Sequence, residues 1–315
     1  MLDTRLGSSQ PACNLLYLSS EITLSQPLRN QRTIGSAAQV HGFGYWSGKD
    51  VNVELRPADP DTGIVFVRGD LSPEVRIPAH VSHRVEVPRR TVLSHDGGNV
   101  EMVEHILAAL AGLRIDNCEV WVDGAEMPGL DGSSQAIVEA IQKAGALEQP
   151  AYRPQLIVED TTRVGDENSW VEAHPSKIDG FSLKVRIDYG RGPIGRQSVH
   201  FVVTPGSFIR ELAPARTFLT KAEADWLRNQ GLGQRASTSD LLVFDEEGPI
   251  DNTLRFEDEC ARHKALDLVG DLALSGCDLV GHFVAYCSGH RLNADLVRVL
   301  LTEGRIYREE LRRSA

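Results

Sequence analysis

Phe256-Glu-Asp-Glu-Cys-Ala-Arg-His263-Lys-Ala-Leu-Asp267-Leu-Val-Gly-Asp271-Leu-Ala-Leu-Ser-Gly276 reads as a single helix. Residues four apart on a helix project from one face, one turn above the other. His263 and Asp267 are placed in this way, and Asp271 lies a further turn along the same side. An imidazole and a carboxylate one turn apart can share a zinc ion, and a catalytic zinc takes three protein ligands and keeps one position open. The third ligand must come from elsewhere. The best donor is His105, in Val100-Glu-Met-Val-Glu104-His105-Ile-Leu-Ala-Ala-Leu110, which also brings Glu104 to where a hydrolytic base belongs. A lone histidine on an apolar helix is more often a satisfied core residue, and that alternative stays open. Against it stands the pair of carboxylates on a buried stripe, because aspartate is seldom fully buried without a partner.

The bulk numbers narrow the classes. At 315 residues the chain can bury one large core or two ordinary ones, and length favours two. Apolar content of 41% and charged content of 24% are those of a globular protein. A net charge of −11 argues against nucleic acid or anionic membrane as partner, while leaving room for a small anion held by local cations. Five cysteines without a C-x-x-C pair predict free thiols in a reducing, cytoplasmic setting. No window suits a transmembrane span, and Leu15-Leu-Tyr-Leu18 lacks the flanks of a signal peptide. Residues 1–30 read as a mobile extension outside the fold. Assembly is expected to be monomeric or weakly oligomeric.

Outward from the helix, each half of the chain runs strands, helix, strand, helix. In residues 31–150 the strands Thr33-Ile34, Val51-Asn-Val-Glu-Leu55 and Gly63-Ile-Val-Phe-Val-Arg68 precede a helix over 100–111. A strand over 117–123 follows, then a helix to about Lys143, with Asp131 or Ser133 as N-cap and Gly145 as its stop. Pro150 and Pro154 mark a seam. Residues 151–315 then give strands over 155–158, 169–172, 182–188 and 198–203, the metal helix, a strand over 281–286 and a final helix from Asn293. An insertion with its own helix, 221–229, lies near 217–243. The expected fold is α+β, two domains of duplicated units with mostly antiparallel sheets on helices.

Two further residues carry chemistry. His290, between a strand and a helix, could be held as imidazolium by Asp271, completing a base and acid pair suited to amide hydrolysis; a helix cap or solvent histidine is the alternative. Thr217, in Ala215-Arg-Thr-Phe218, could donate to an oxyanion, or it could be a turn residue. The sequence holds no G-x-S-x-G elbow, Walker loop, H-E-x-x-H or dinucleotide fingerprint.

Taken together, the blocks resemble the UDP-3-O-acyl-N-acetylglucosamine deacetylase (LpxC) family, zinc enzymes of lipid A synthesis. The resemblance runs from Gln31 to the C-terminus. It rests on Val103-Glu-His-Ile-Leu-Ala-Ala-Leu-Ala-Gly-Leu113, Ile115-Asp-Asn117, Glu126-Met-Pro-Gly-Leu-Asp-Gly-Ser133, Ala215-Arg-Thr-Phe218, Leu254-Arg-Phe-Glu-Asp-Glu259, Arg262-His-Lys-Ala-Leu-Asp267 and Ser288-Gly-His290. It implies two α+β sandwich domains with the active site between them. It also implies Zn2+ on His105, His263 and Asp267, and Glu104 as base. His290 would protonate the leaving amine under orientation by Asp271, and Thr217 would hold the oxyanion. The implied substrate is a UDP-linked acylated amino sugar. Lys264 would meet its phosphate or hydroxyls, with Arg262, Arg235 and Arg291 as a basic rim. Phe218, Leu219, Trp226, Leu227 and Leu232 would wall a passage for the acyl chain, although a core role for Trp226 and Leu227 is equally open.

Departures from the pattern are Trp46, where the family usually carries histidine, and Asp188-Tyr-Gly-Arg-Gly-Pro193, where it carries Asp-Phe-x-His-Pro. These keep two rivals in play: a paralogous zinc deacetylase of another N-acylated amino sugar, and a non-catalytic binding protein of the same fold.

Overall fold

Residues 28–176 and 180–308 are described by the computed structural model of the protein, so the extension expected at the N-terminus lies, up to residue 27, outside the described residues. Alternating buried and exposed positions build two principal sheets. The first has five strands in the order Ala38–Phe43, Asp50–Pro57, Cys118–Val122, Ile64–Arg68, Val75–Pro78, antiparallel except for the parallel pair of Ile64–Arg68 with Cys118–Val122. The second has seven strands around Asp278–Tyr286, which pairs antiparallel with Trp170–His174 and parallel with Phe181–Asp188. In that central strand every second residue from Leu279 to Ala285 is buried, the period-two signature of a sheet with one face on a core. Among the described residues, no strand before residue 153 pairs with one after 154. The architecture is mixed α+β, with sheets packed on helices.

Two helices place the site. Glu104–Gly112 is buried on nearly every residue, as is Glu259–Leu272. They pack against each other at Gly270, where an added Cβ would lie 2.0 Å from the Glu104 carbonyl oxygen. Only glycine allows so close an approach. The crossing sets Glu104 and His105 opposite His263 and Asp267.

Several boundaries differ from the sequence reading. The helix expected over 100–111 begins at Glu104, because Gly98–Glu101 is a strand paired with Val92–His95 and Met102 breaks the chain at a positive φ of 58°. The helix read over 256–276 spans Glu259–Leu272 and ends in one 3-10 turn, Ala273–Ser275. The final helix starts at His290 rather than Asn293. A strand missing from the sequence reading, Ala146–Tyr152, crosses Pro150 and pairs with Asn30–Ile34. Helix Gln135–Ala144 starts after Ser134; Asp131 and Ser133 shape its entry, and Gly145 ends it at φ 73° as expected.

Candidate active site

His263 is fixed first. Its Nδ1 lies 3.1 Å from the Ala215 carbonyl. A carbonyl can only accept, so Nδ1 carries the proton and Nε2 offers its lone pair. Burial pushes His263 down to about 3, which keeps the ring neutral as a metal ligand requires. His105 meets it edge to face, with ring centroids 5.0 Å apart. Asp267 completes the set. Its Oδ1 is 3.3 Å from His263 Nε2 and 3.6 Å from His105 Nε2.

That oxygen is buried without a hydrogen-bond partner, and all three ligand atoms lie within 4.8 Å of one another. A buried anionic oxygen left unpaired is costly. A divalent cation between the three groups removes the cost, so the donor set fits a metal of the zinc type. Lys264 Nζ binds the other Asp267 oxygen at 2.9 Å. Burial opposes charge on Asp267, yet its carboxyl is held well below the usual range, and with His263 neutral the cation beside it is the Lys264 ammonium. Burial likewise works against the Lys264 ammonium, yet Asp267 raises it above its ordinary value.

Beside the metal group stands a proton-transfer pair. Glu104 Oε2 accepts from the Thr91 amide at 3.0 Å, and Oε1 lies 3.8 Å from His290 Nε2. Burial pushes Glu104 above the usual carboxylate value, against the pull of His290 and His105. For His290, burial disfavours the charged ring, but Asp271 and Glu104 outweigh it and bring the imidazole to about 9. Asp271 is fully buried and saturated: Oδ2 accepts from His290 Nδ1 at 2.9 Å and Asn293 Nδ2 at 2.8 Å, and Oδ1 accepts from Thr91 Oγ1 at 2.6 Å.

These groups open on a cavity of about 880 Å³. Its walls include Glu104, His105, Thr217, His263, Lys264, Asp267 and His290, continuing into an apolar arm of Trp46, Met102, Leu219, Leu227, Leu232 and Val243. A second cavity of about 1010 Å³ shares Arg89, Thr217, Leu219, Lys264 and His290 and adds Tyr189, Phe218, Glu223 and Arg291. Phe218 is buried, with its ring 6.4 Å from that of His263.

Not every expected residue reaches the cavities. Arg262 lines neither one, because one residue before His263 is 100° around the helix. Its guanidinium is held by Glu211 at 2.7 Å and Asp258 at 2.5 Å and stacks on Phe256. Arg235 pairs with Asp50 and lies over Phe43. Trp226 is 56% exposed and lines neither cavity, whereas Leu227 does. Thr91, Asn293 and the Ala215 carbonyl were missed by the sequence reading. All are joined to the site by contacts across the fold, and only Thr91's place near the arginine-rich 89–90 step could have drawn notice.

Residues 31–302 match the family model described as LpxC, UDP-3-O-acyl N-acetylglycosamine deacetylase. The chain is 39% identical over 277 residues to the UDP-3-O-acyl-N-acetylglucosamine deacetylase of Shewanella sp. (strain W3-18-1), covering 87% of this chain and 90% of that one. It is 40% identical over 275 residues to the Brucella ovis protein of the same name, covering 87% and 96%. With the family model matching residues 31–302 and about 40% identity over 87% of the chain, the chain belongs to the UDP-3-O-acyl-N-acetylglucosamine deacetylase family.

Proposed function

We infer that the protein is a zinc-dependent amidohydrolase that removes the N-acetyl group of UDP-3-O-acyl-N-acetylglucosamine as acetate, in lipid A biosynthesis. The observation that carries this reading is the unpartnered Asp267 Oδ1 facing the two imidazole nitrogens, with Glu104 and His290 alongside. His105, His263 and Asp267 would hold the metal. When bound, zinc supplies a Lewis acid that acidifies water to a pKa of about 7 and polarises a carbonyl oxygen.

The chain's own groups do the rest. Glu104, ionised, takes a proton from the attacking water as the new C–O bond forms. Thr217, on the cavity wall, donates to the oxygen on which charge develops. His290, held as imidazolium by Asp271, gives its proton to the amine as the C–N bond breaks. Lys264 stands at the junction of the two cavities, where a phosphate or sugar hydroxyl would meet it. The leucine-lined arm suits an acyl chain, and Phe218 with Tyr189 offers the second cavity an aromatic wall. Arg262 is spent on two carboxylates and takes no part.

In this reading residues 31–150 and 151–315 are two α+β sandwich domains of duplicated topology, with 217–243 an insertion that walls the arm. The enzyme would work in the cytoplasm; among the described residues no helix is long and apolar enough to cross a membrane.

A second reading keeps the chemistry and changes the sugar. Trp46 lines the apolar arm, with Arg90 4.4 Å from its ring centroid, so this residue would meet the acyl chain. Zinc content and acetate release, measured on the UDP-lipid and on simple N-acetylglucosamine compounds, separate the two. One zinc per chain and faster release from the UDP-lipid are expected. Faster release from the simple sugar would transfer the assignment to another amino sugar, and no acetate from either would end it.

A further inference from the structure

Thr91 spends every polar group it has inside the site. It is fully buried, on the short link between strands Arg84–Val85 and Val92–His95. Its amide donates to Glu104 Oε2 at 3.0 Å, its carbonyl accepts from the Val103 amide at 3.4 Å, and its hydroxyl donates to Asp271 Oδ1 at 2.6 Å. One residue therefore touches both the carboxylate assigned as base and the carboxylate that orients His290. No other described residue is hydrogen-bonded to both.

The placement has a mechanical consequence. Glu104 sits at the start of one helix and Asp271 near the end of another, and each could swing about its side-chain torsions. Thr91 removes that freedom at both ends. Because the hydroxyl occupies Oδ1, Asp271 turns Oδ2 toward His290 and Asn293. Because the amide occupies Oε2, Glu104 turns Oε1 toward His290 Nε2, 3.8 Å away. That gap is too long for a direct hydrogen bond and is where the reacting atoms would sit. The neighbouring Arg90 anchors the link through Glu101 at 2.7 Å.

We propose that Thr91 is a positioning residue for the hydrolytic reaction: it clamps the base and the carboxylate behind the acid as one unit and so fixes the spacing across which the proton moves. This rests on the deacetylase reading, which wild-type acetate release tests by itself in the same assay.

Thr91→Val keeps the shape and the amide bond to Glu104 but deletes the donor to Asp271. It should lower kcat about 10- to 100-fold, with KM within about threefold and full metal content. Thr91→Ser should restore kcat to within about threefold of wild type. In a His290→Ala background, Thr91→Val should change turnover less than about twofold, since a group acting through His290 has nothing left to position. A folded, metal-loaded Thr91→Val enzyme with wild-type kcat would overturn the proposal, as would an equal loss in the Ser variant or full additivity with His290→Ala. Thr91→Ala, with room for a water in place of the hydroxyl, serves if the valine variant does not fold. Failure of both to fold would make Thr91 architectural and also overturn it.

Discussion

Asp267 gives its two oxygens different tasks: Oδ2 takes the Lys264 ammonium, and Oδ1 faces two imidazole nitrogens without a hydrogen-bond partner. Glu104, one residue before a ligand, is raised by burial yet faces a charged imidazole, the separation of environments that assigns acid and base roles. Glu104→Gln should retain the metal and lose about 10²- to 10⁴-fold in kcat; a variant with undiminished acetate release would exclude it as base. The pH profile follows from the same pair. Activity requires Glu104 ionised, so it rises with pH through that group's raised value. It requires His290 protonated, so it falls as pH passes about 9, or somewhat lower once a dication beside the ring draws the value down. A profile with no alkaline limb would remove His290 as the acid. His263, Asp267 and Asp271 were legible in the sequence because a four-residue spacing on one helix is a geometric statement. Thr91 and Asn293 were not, since neither lies on a periodic pattern and their partners are 180 and 22 residues away.

Among the elements, the crossing of helices Glu104–Gly112 and Glu259–Leu272 at Gly270 sets the site's dimensions. Gly270→Ala would force a methyl group to 2.0 Å from the Glu104 carbonyl. Overpacking of this kind costs about 1–3 kcal/mol; denaturant melts should show that loss, together with weakened metal binding as His105 shifts from His263. Unchanged stability and metal affinity would mean that the crossing is not what aligns the ligands. The helices themselves could be read from apolar spacing, but their ends could not. The strand Gly98–Glu101 joins its helix through Met102 at a positive φ, a conformation no composition announces. Ala146–Tyr152 was invisible for another reason: of its seven residues only Gln149 is buried, so no apolar alternation marks it.

Across the whole molecule, charge joins what the sheets leave separate. Arg29 binds Asp116 at 2.7 Å, beside the first sheet, and Asp278 at 2.6 Å, at the start of the second sheet's central strand. Arg153 lies 3.2 Å from Asp116 in the same cluster. Arg29→Ala strands a buried Asp116 without its closest cation and should destabilise by about 1–3 kcal/mol, reduced by the partial exposure of Asp278. A neutral melt would show the cluster to be incidental. Such a link is unreadable in advance, because it joins residues 87 and 249 positions apart.

The metal centre makes a second link between distant parts of the chain, joining His105 to His263 and Asp267. Zinc K-edge X-ray absorption on the zinc-loaded protein tests it most directly. A first shell of two imidazole nitrogens and oxygen at about 2.0–2.2 Å without sulfur is expected, falling to one imidazole in His263→Ala. A sulfur scatterer, or two imidazoles persisting in that variant, would contradict it.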